Sequence, residues 1–170
     1  MPKAEVYSIG YANDTFEPFL ARVLALPEIS HLVDIRTNPY SRYQEDFRGE
    51  TFAHRVDATG LKYIFMGDRL GGKPTNETVL TEGEMDPLKL MEWPFFQAGI
   101  ERIIAAQESG KTLCMMCGCG NPIHCHRGSV LSEVLLERGV DVLHAMVSGD
   151  LVPHSIARRD LPPRQMNLFT

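Results

Sequence analysis

Along the chain, short apolar runs alternate with amphipathic stretches, and the alternation predicts strands separated by helices. Residues 5–12 form a β-rich run that breaks at Gly10, after which Asn13, Asp14 and Thr15 offer helix-capping side chains. Phe16, Phe19, Leu20, Val23 and Leu24 then recur at the spacing of one buried helix face. Strands are predicted at 31–37, breaking at Asn38 and Pro39, and at 61–66, with a short helix over 52–56 between them. A helix over 94–109, with Phe96, Ile100, Ile103 and Ile104 inward, leads through Gly110 to a strand at 111–117. A helix over 128–138, closed by Gly139, and a last strand at 140–147 complete the pattern. Strands that alternate with helices predict a mainly parallel sheet covered on both faces, a three-layer α/β sandwich whose ligands bind beyond the carboxyl ends of the strands. Residues 71–93 interrupt the alternation as a long connection of the kind that is a lid, a binding loop or merely disordered.

Length and charge narrow the class. A chain of 170 residues suits one domain, able to bury about 70% of its unfolded surface without a disulfide or metal. The expected division is an α/β domain over 1–150 and an extended tail over 151–170, which carries Pro153, Pro162 and Pro163. No secretory segment or membrane-length apolar run is read, so a cytoplasmic protein without a membrane partner is expected. A formal net charge of −5 gives no overall attraction to nucleic acid. Local basic clusters remain at Arg36, Arg42 and Arg48 and at Arg158, Arg159 and Arg164.

All four cysteines fall within residues 113–127, where an apolar strand runs into Gly, Asn and Pro and then into a helical pattern. Thiols there would lie beside backbone N–H groups that favour anions. Cys114 and Cys117 differ in strand parity, so they are expected on opposite faces, with Cys114 in the core. Cys117 and Cys125 are better placed as nucleophiles, because His124, His126, Arg127 and a helix amino terminus can each favour a thiolate. Cys117, Cys119 and Cys125 also form a donor set suited to zinc, although the spacing matches no standard zinc knuckle. A redox pair of Cys117 with Cys125 is a further option. Asp34 and Arg36, two apart at a strand end, share a face. They read either as an ion pair that orders the next loop or as an oriented guanidinium for phosphate or carboxylate. Ser41, Arg42 and Tyr43 extend that site, with aromatic rings suited to stacking a base. His144 reads as a core histidine.

Taken together, Tyr7 to Tyr11 (YSIGY), Leu32 to Ser41 (LVDIRTNPYS), Leu70 to Gly72 (LGG), Leu113 to Cys117 (LCMMC) and Cys125 to Arg127 (CHR) resemble the DUF488 family of bacterial and archaeal proteins over most of residues 5–147. The resemblance implies a Rossmann-like sheet and candidate positions at Gly10, Asp34, Arg36, Cys117, His126 and Arg127, but no established reaction; Tyr11, next to Gly10, is added as a substrate-binding candidate. The family usually has an acidic residue two places after the first cysteine, where this chain has Cys119. A weaker resemblance is to rhodanese-like domains. The stretch from Cys117 to Arg127 is too long for their cysteine loop, so neither sulfur transfer nor cysteine phosphatase activity is expected. In the tail, Gln165 to Phe169 (QMNLF) resembles peptides that dock onto the bacterial sliding clamp, with Gln165, Leu168 and Phe169 as the contacts. The combined expectation is an enzyme with Cys117, His126 and Asp34 as catalytic groups and the arginines as anion binders, acting on a nucleotide or nucleic acid. The alternatives are a non-catalytic nucleotide-binding module and a metal-stabilised structural domain.

Overall fold

The computed structural model describes residues 4–41 and 44–161. Its sheet has six strands: β1 (Val6–Gly10), β2 (His31–Asp34), β3 (Lys62–Phe65), β6 (Leu113–Cys117), β7 (Leu143–Ala145) and β8 (Leu151–Pro153). They lie in the order β3-β2-β6-β1-β7-β8, all parallel except the β7–β8 pair. β4 (Leu80–Thr81) and β5 (Glu84–Met85) form a separate hairpin. The helices are α1 (Phe16–Leu24), α2 (Gly49–Asp57), α3 (Gly67–Leu70), α4 (Pro87–Glu92), α5 (Pro94–Glu108), α6 (Glu133–Glu137) and α7 (His154–Ala157).

Strand parity divides the core. On one face Met115 and Cys117 pack with Phe96, Ile100 and Ile103 of α5 and with Leu131 and Leu135. On the other, Cys114 and Met116 pack with Phe16, Phe19 and Val23 of α1 and Phe52 and Val56 of α2. Two apolar layers on one sheet make the protein a three-layer, Rossmann-like α/β sandwich. Each fully buried ring or branched chain contributes about 1.5–3 kcal/mol, so either layer suffices to hold its helices on the sheet. No helix of the described residues is long and apolar enough to cross a membrane.

Three expectations need correction. Residues 151–161 are not a tail extended away from the domain. Gly149, at φ 93°, turns the chain back, and Leu151–Pro153 pairs antiparallel with β7. Pro153 misled the sequence reading, since proline is compatible with an edge strand that needs no donor at that point. The connection over 71–93 is folded. Val79 and Leu90 are buried in the core, Asp86 caps α4 by accepting from Leu88 and Lys89, and Glu82 and Gly83 turn the hairpin at positive φ. The helix expected over 128–138 starts instead as a wide π turn over Arg127–Ser132 before tightening into α6. A single π turn inside a helix is frequent at functional sites.

Candidate functional site

β1, β2 and β6 end together. Cys117 stands opposite Gly10, and Met116 opposite Asp34, so the carboxyl ends of the three central strands share one edge. Pairing runs on beyond the strands, with Ile35 N–H donating to the Met116 carbonyl and Tyr11 N–H to that of Cys117. Residues 118–121 then fold across β1. They approach so closely that a Cβ at Gly10 would lie 1.6 Å from the Cys119 carbonyl oxygen. Only glycine fits there, which explains the break in the first strand. Asn121 accepts from Ile123 N–H and caps the turn Pro122–His124. The Cys125 carbonyl next accepts from the N–H groups of Gly128 and Ser129 and opens the π turn.

This path gathers three thiols. The sulfurs of Cys117, Cys119 and Cys125 lie within 4.8 Å of one another. Cys117 Sγ is 3.2 Å from Cys125 Sγ, and Cys125 Sγ is 3.7 Å from His126 Nδ1. Cys117 and Cys125 are buried, and Cys119 is exposed. Cys114, on the other face, is buried, and desolvation pushes its thiol up to about 12. Within the cluster the thiols share protons. Hydrogen bonds from Cys117 and then Cys125 pull Cys119 far below the usual thiol range. The same contact with Cys119, followed by Cys125 and burial, drives Cys117 well above it. The cluster therefore favours a thiolate on its most exposed member, Cys119. Burial lowers His126 to about 4, which leaves its imidazole neutral and able to accept from the Cys125 thiol. The carbonyls of Ile35 and Leu70 favour a proton on this ring, but Nε2 makes no hydrogen bond of good geometry.

Arg127 runs beneath the cluster, fully buried. Its Nη1 donates to Cys117 Sγ at 3.5 Å and to the Cys119 carbonyl at 3.2 Å, and its Nε to Ser8 Oγ at 3.1 Å. Its Nη2 has no partner.

At the end of β2, Arg36 meets Asp34 side-on, Nε to Oδ1 at 2.9 Å and Nη2 to Oδ2 at 2.7 Å, and donates from Nη1 to the Phe47 carbonyl. Tyr63 also donates to Asp34 Oδ2, at 2.6 Å, and burial together with that carboxylate raises the phenol above its ordinary range. Both Asp34 oxygens are thus occupied. Tyr11 stacks on Phe47 with centroids 4.0 Å apart.

A cleft of about 780 Å³ opens over this edge, lined by Tyr11, Arg36, Tyr40, Lys73 and the residues 117–119 and 124–126. It brings together Tyr11, Arg36, Cys117, Cys119, Cys125 and His126. Asp34 and Arg127 sit behind its wall, and Gly10 lies under the 118–121 loop. Ser41 stands apart from the lining, accepting from Gln44 N–H through Oγ and from Arg48 through its carbonyl. Arg42, Tyr43, Gln165, Leu168 and Phe169 lie outside the described residues. Sequence reasoning missed Tyr63, which completes the Asp34 pair, and Ser8, which receives Arg127. Ser8 and His144 are paired in register on adjacent strands, and two polar residues facing each other inside apolar strands were a readable signal.

Residues 15–135 match the family model described as a domain of unknown function, DUF488. No curated protein and no solved structure matches the chain.

Proposed function

The chain belongs to the DUF488 family, and from that premise we propose that it is an enzyme whose working groups are the clustered thiols, acting on an anionic, nucleotide-like substrate held in the cleft. The observation that carries the reading is the set of three sulfurs within 4.8 Å at the cleft wall. Cys119 supplies the thiolate at the exposed position, the neighbouring Cys117 and Cys125 favour the anion there, and His126 Nδ1 stands 3.7 Å from Cys125 Sγ as a proton acceptor. Arg127 provides the fixed positive charge. Asp34, with both oxygens engaged, acts by orienting Arg36 rather than by exchanging a proton. A nucleotide suits the opposite wall, where Tyr40 is 55% exposed with the Arg48 guanidinium over its ring and Lys73 and Arg36 stand near. Titration calorimetry with AMP and with adenosine tests this. AMP is expected to bind more tightly than adenosine, to protect Cys119 from alkylation, and to lose affinity in Lys73→Ala. If AMP neither binds nor protects, the nucleotide substrate is wrong.

The same donor separations favour a second reading, a zinc site on Cys117, Cys119 and Cys125. Three thiolates around a divalent ion carry one net negative charge, which the buried Arg127 would balance. Elemental analysis of protein purified without chelator decides it. About one zinc per chain, lost in Cys119→Ser, is the expected result for this reading, and metal-free protein that takes up no added zinc rules it out. The recruitment reading for Gln165, Leu168 and Phe169 rests on the sequence alone and predicts clamp binding that Leu168→Ala with Phe169→Ala abolishes.

A further inference from the structure

Arg127 is a buried cation with no carboxylate within ion-pair distance among the described residues. What it has instead is a hydrogen-bonded chain leading away from the thiols across the sheet. Arg127 Nε contacts Ser8 Oγ at 3.1 Å, and Ser8 Oγ contacts His144 Nδ1 at 2.5 Å. His144 Nε2 contacts His154 Nδ1 at 2.9 Å, and His154 Nε2 contacts Glu133 Oε2 at 2.9 Å. The chain ends at the surface, where the half-exposed Arg158 grips both oxygens of Glu133. Ser8, His144 and His154 are fully buried and come from β1, β7 and the start of α7.

The two ends fix the polarity of the middle. A guanidinium only donates and a carboxylate only accepts. With Glu133 accepting from His154 Nε2–H, a neutral His154 offers Nδ1 as acceptor to His144 Nε2–H. His144 Nδ1 then accepts from the Ser8 hydroxyl, whose oxygen accepts from Arg127. Every donor meets an acceptor. The reverse polarity would place two donors against Ser8 Oγ and leave its own proton without a target in the chain. Burial lowers His144 to about 3, in keeping with a neutral ring. An arginine does not give up its proton in proteins, so the chain is a tether and not a route for protons to the thiols.

We infer that Ser8, His144, His154 and Glu133 are positioning residues that hold the Arg127 guanidinium against Cys117 without neutralising its charge, so that the compensating anion must sit in the thiol cluster or in a ligand beside it. A carboxylate in direct contact would have cancelled that charge, as Asp34 does for Arg36. Glu133 fixes direction from four links away while its own charge is balanced by Arg158. The inference rests on the thiol reading above and is tested so that the two can fail separately.

The test uses the full chain. Iodoacetamide alkylation at pH 7, followed by mass mapping, gives the rate at each cysteine. Ser8→Ala removes the hydroxyl that receives Arg127 and is expected to slow Cys119 by about tenfold, the size of effect seen when an outer supporting partner is lost. Glu133→Gln still accepts from His154 Nε2–H and should remain within about twofold of the parent. A Ser8→Ala rate equal to the parent's would overturn the inference. Nitrogen-15 NMR of the unmodified chain supplies the measurement that no folding defect can obscure. His144 and His154 are both expected as neutral Nε2–H tautomers at pH 7, and an Nδ1–H tautomer at either ring also overturns the tether. A parent protein in which no cysteine reacts quickly would sink the thiol reading, leaving the tautomers to decide the tether by themselves.

Discussion

Two arginines stand at the same sheet edge, buried to nearly the same degree, and they are held in opposite ways. Arg36, at the end of β2, is locked to Asp34 by two hydrogen bonds, and a phenol closes the carboxylate's remaining site. Arg127, behind the end of β6, touches a hydroxyl, a thiol and a carbonyl, and one of its nitrogens is unmatched. The first arrangement is electrostatically closed, with Asp34 fixing the direction of Arg36 at the cleft wall. The second leaves a positive charge that only the thiols or a ligand can balance. Burial alone therefore does not tell whether an arginine's charge is already balanced, whereas the identity of the acceptor does.

The comparison breaks first at Asp34. Asp34→Ala strands the Arg36 cation and deprives Tyr63 of its acceptor, so it should cost about 3–5 kcal/mol in urea unfolding. Arg127→Met strands no carboxylate and should cost no more than about 2 kcal/mol, while the alkylation of Cys119 falls sharply. If the two variants lose equal stability, Arg127 is as closed as Arg36 and the distinction fails.

Acid sharpens the contrast, because only the β6 corner leans on buried histidines. His144 is held near 3 in the folded protein against an ordinary value of 6.5. Below about pH 6.5 the unfolded chain binds a proton that the folded chain refuses, so stability is complete above that pH and declines as pH falls toward 3. The expected slope is up to about 1.4 kcal/mol per pH unit for this one group. His144→Gln should flatten the slope between pH 6.5 and 4, and an unchanged slope would place the acid sensitivity elsewhere. The smallest effect is at the closed corner: Tyr63→Phe deletes one hydrogen bond to Asp34 and should cost about 1 kcal/mol, with no change in thiol reactivity.

Much of this was legible in the chain. Helical spacing placed α1 and α5, and strand parity sent Cys114 and Cys117 to opposite faces, because both arguments depend only on local geometry. The closing segment was misread because Pro153 argues against a strand unless the strand is an edge, and edge position is a property of the whole sheet. The π turn at Arg127 escaped for a similar reason. Its register is set by the Cys125 carbonyl accepting from two N–H groups, which no periodicity reveals. His144 was correctly read as a core residue, but its partner His154 lay in the supposed tail, so the tether could not be assembled from sequence. Cys119 was grouped with Cys117 and Cys125 as a metal donor from spacing alone, but its place as the exposed thiol of the cluster depended on the loop that folds over Gly10.

The central claim is that Arg127's charge is balanced by a thiolate in the Cys117, Cys119 and Cys125 cluster. Native-state alkylation of all four cysteines, mapped by mass in the parent chain and in Arg127→Met, tests it most directly. The account predicts that Cys119 reacts first, that Cys114 stays unmodified until the protein unfolds, and that Arg127→Met slows Cys119 by about tenfold or more. Cys114 reacting as fast as Cys119, or a Cys119 rate indifferent to Arg127→Met, would contradict it.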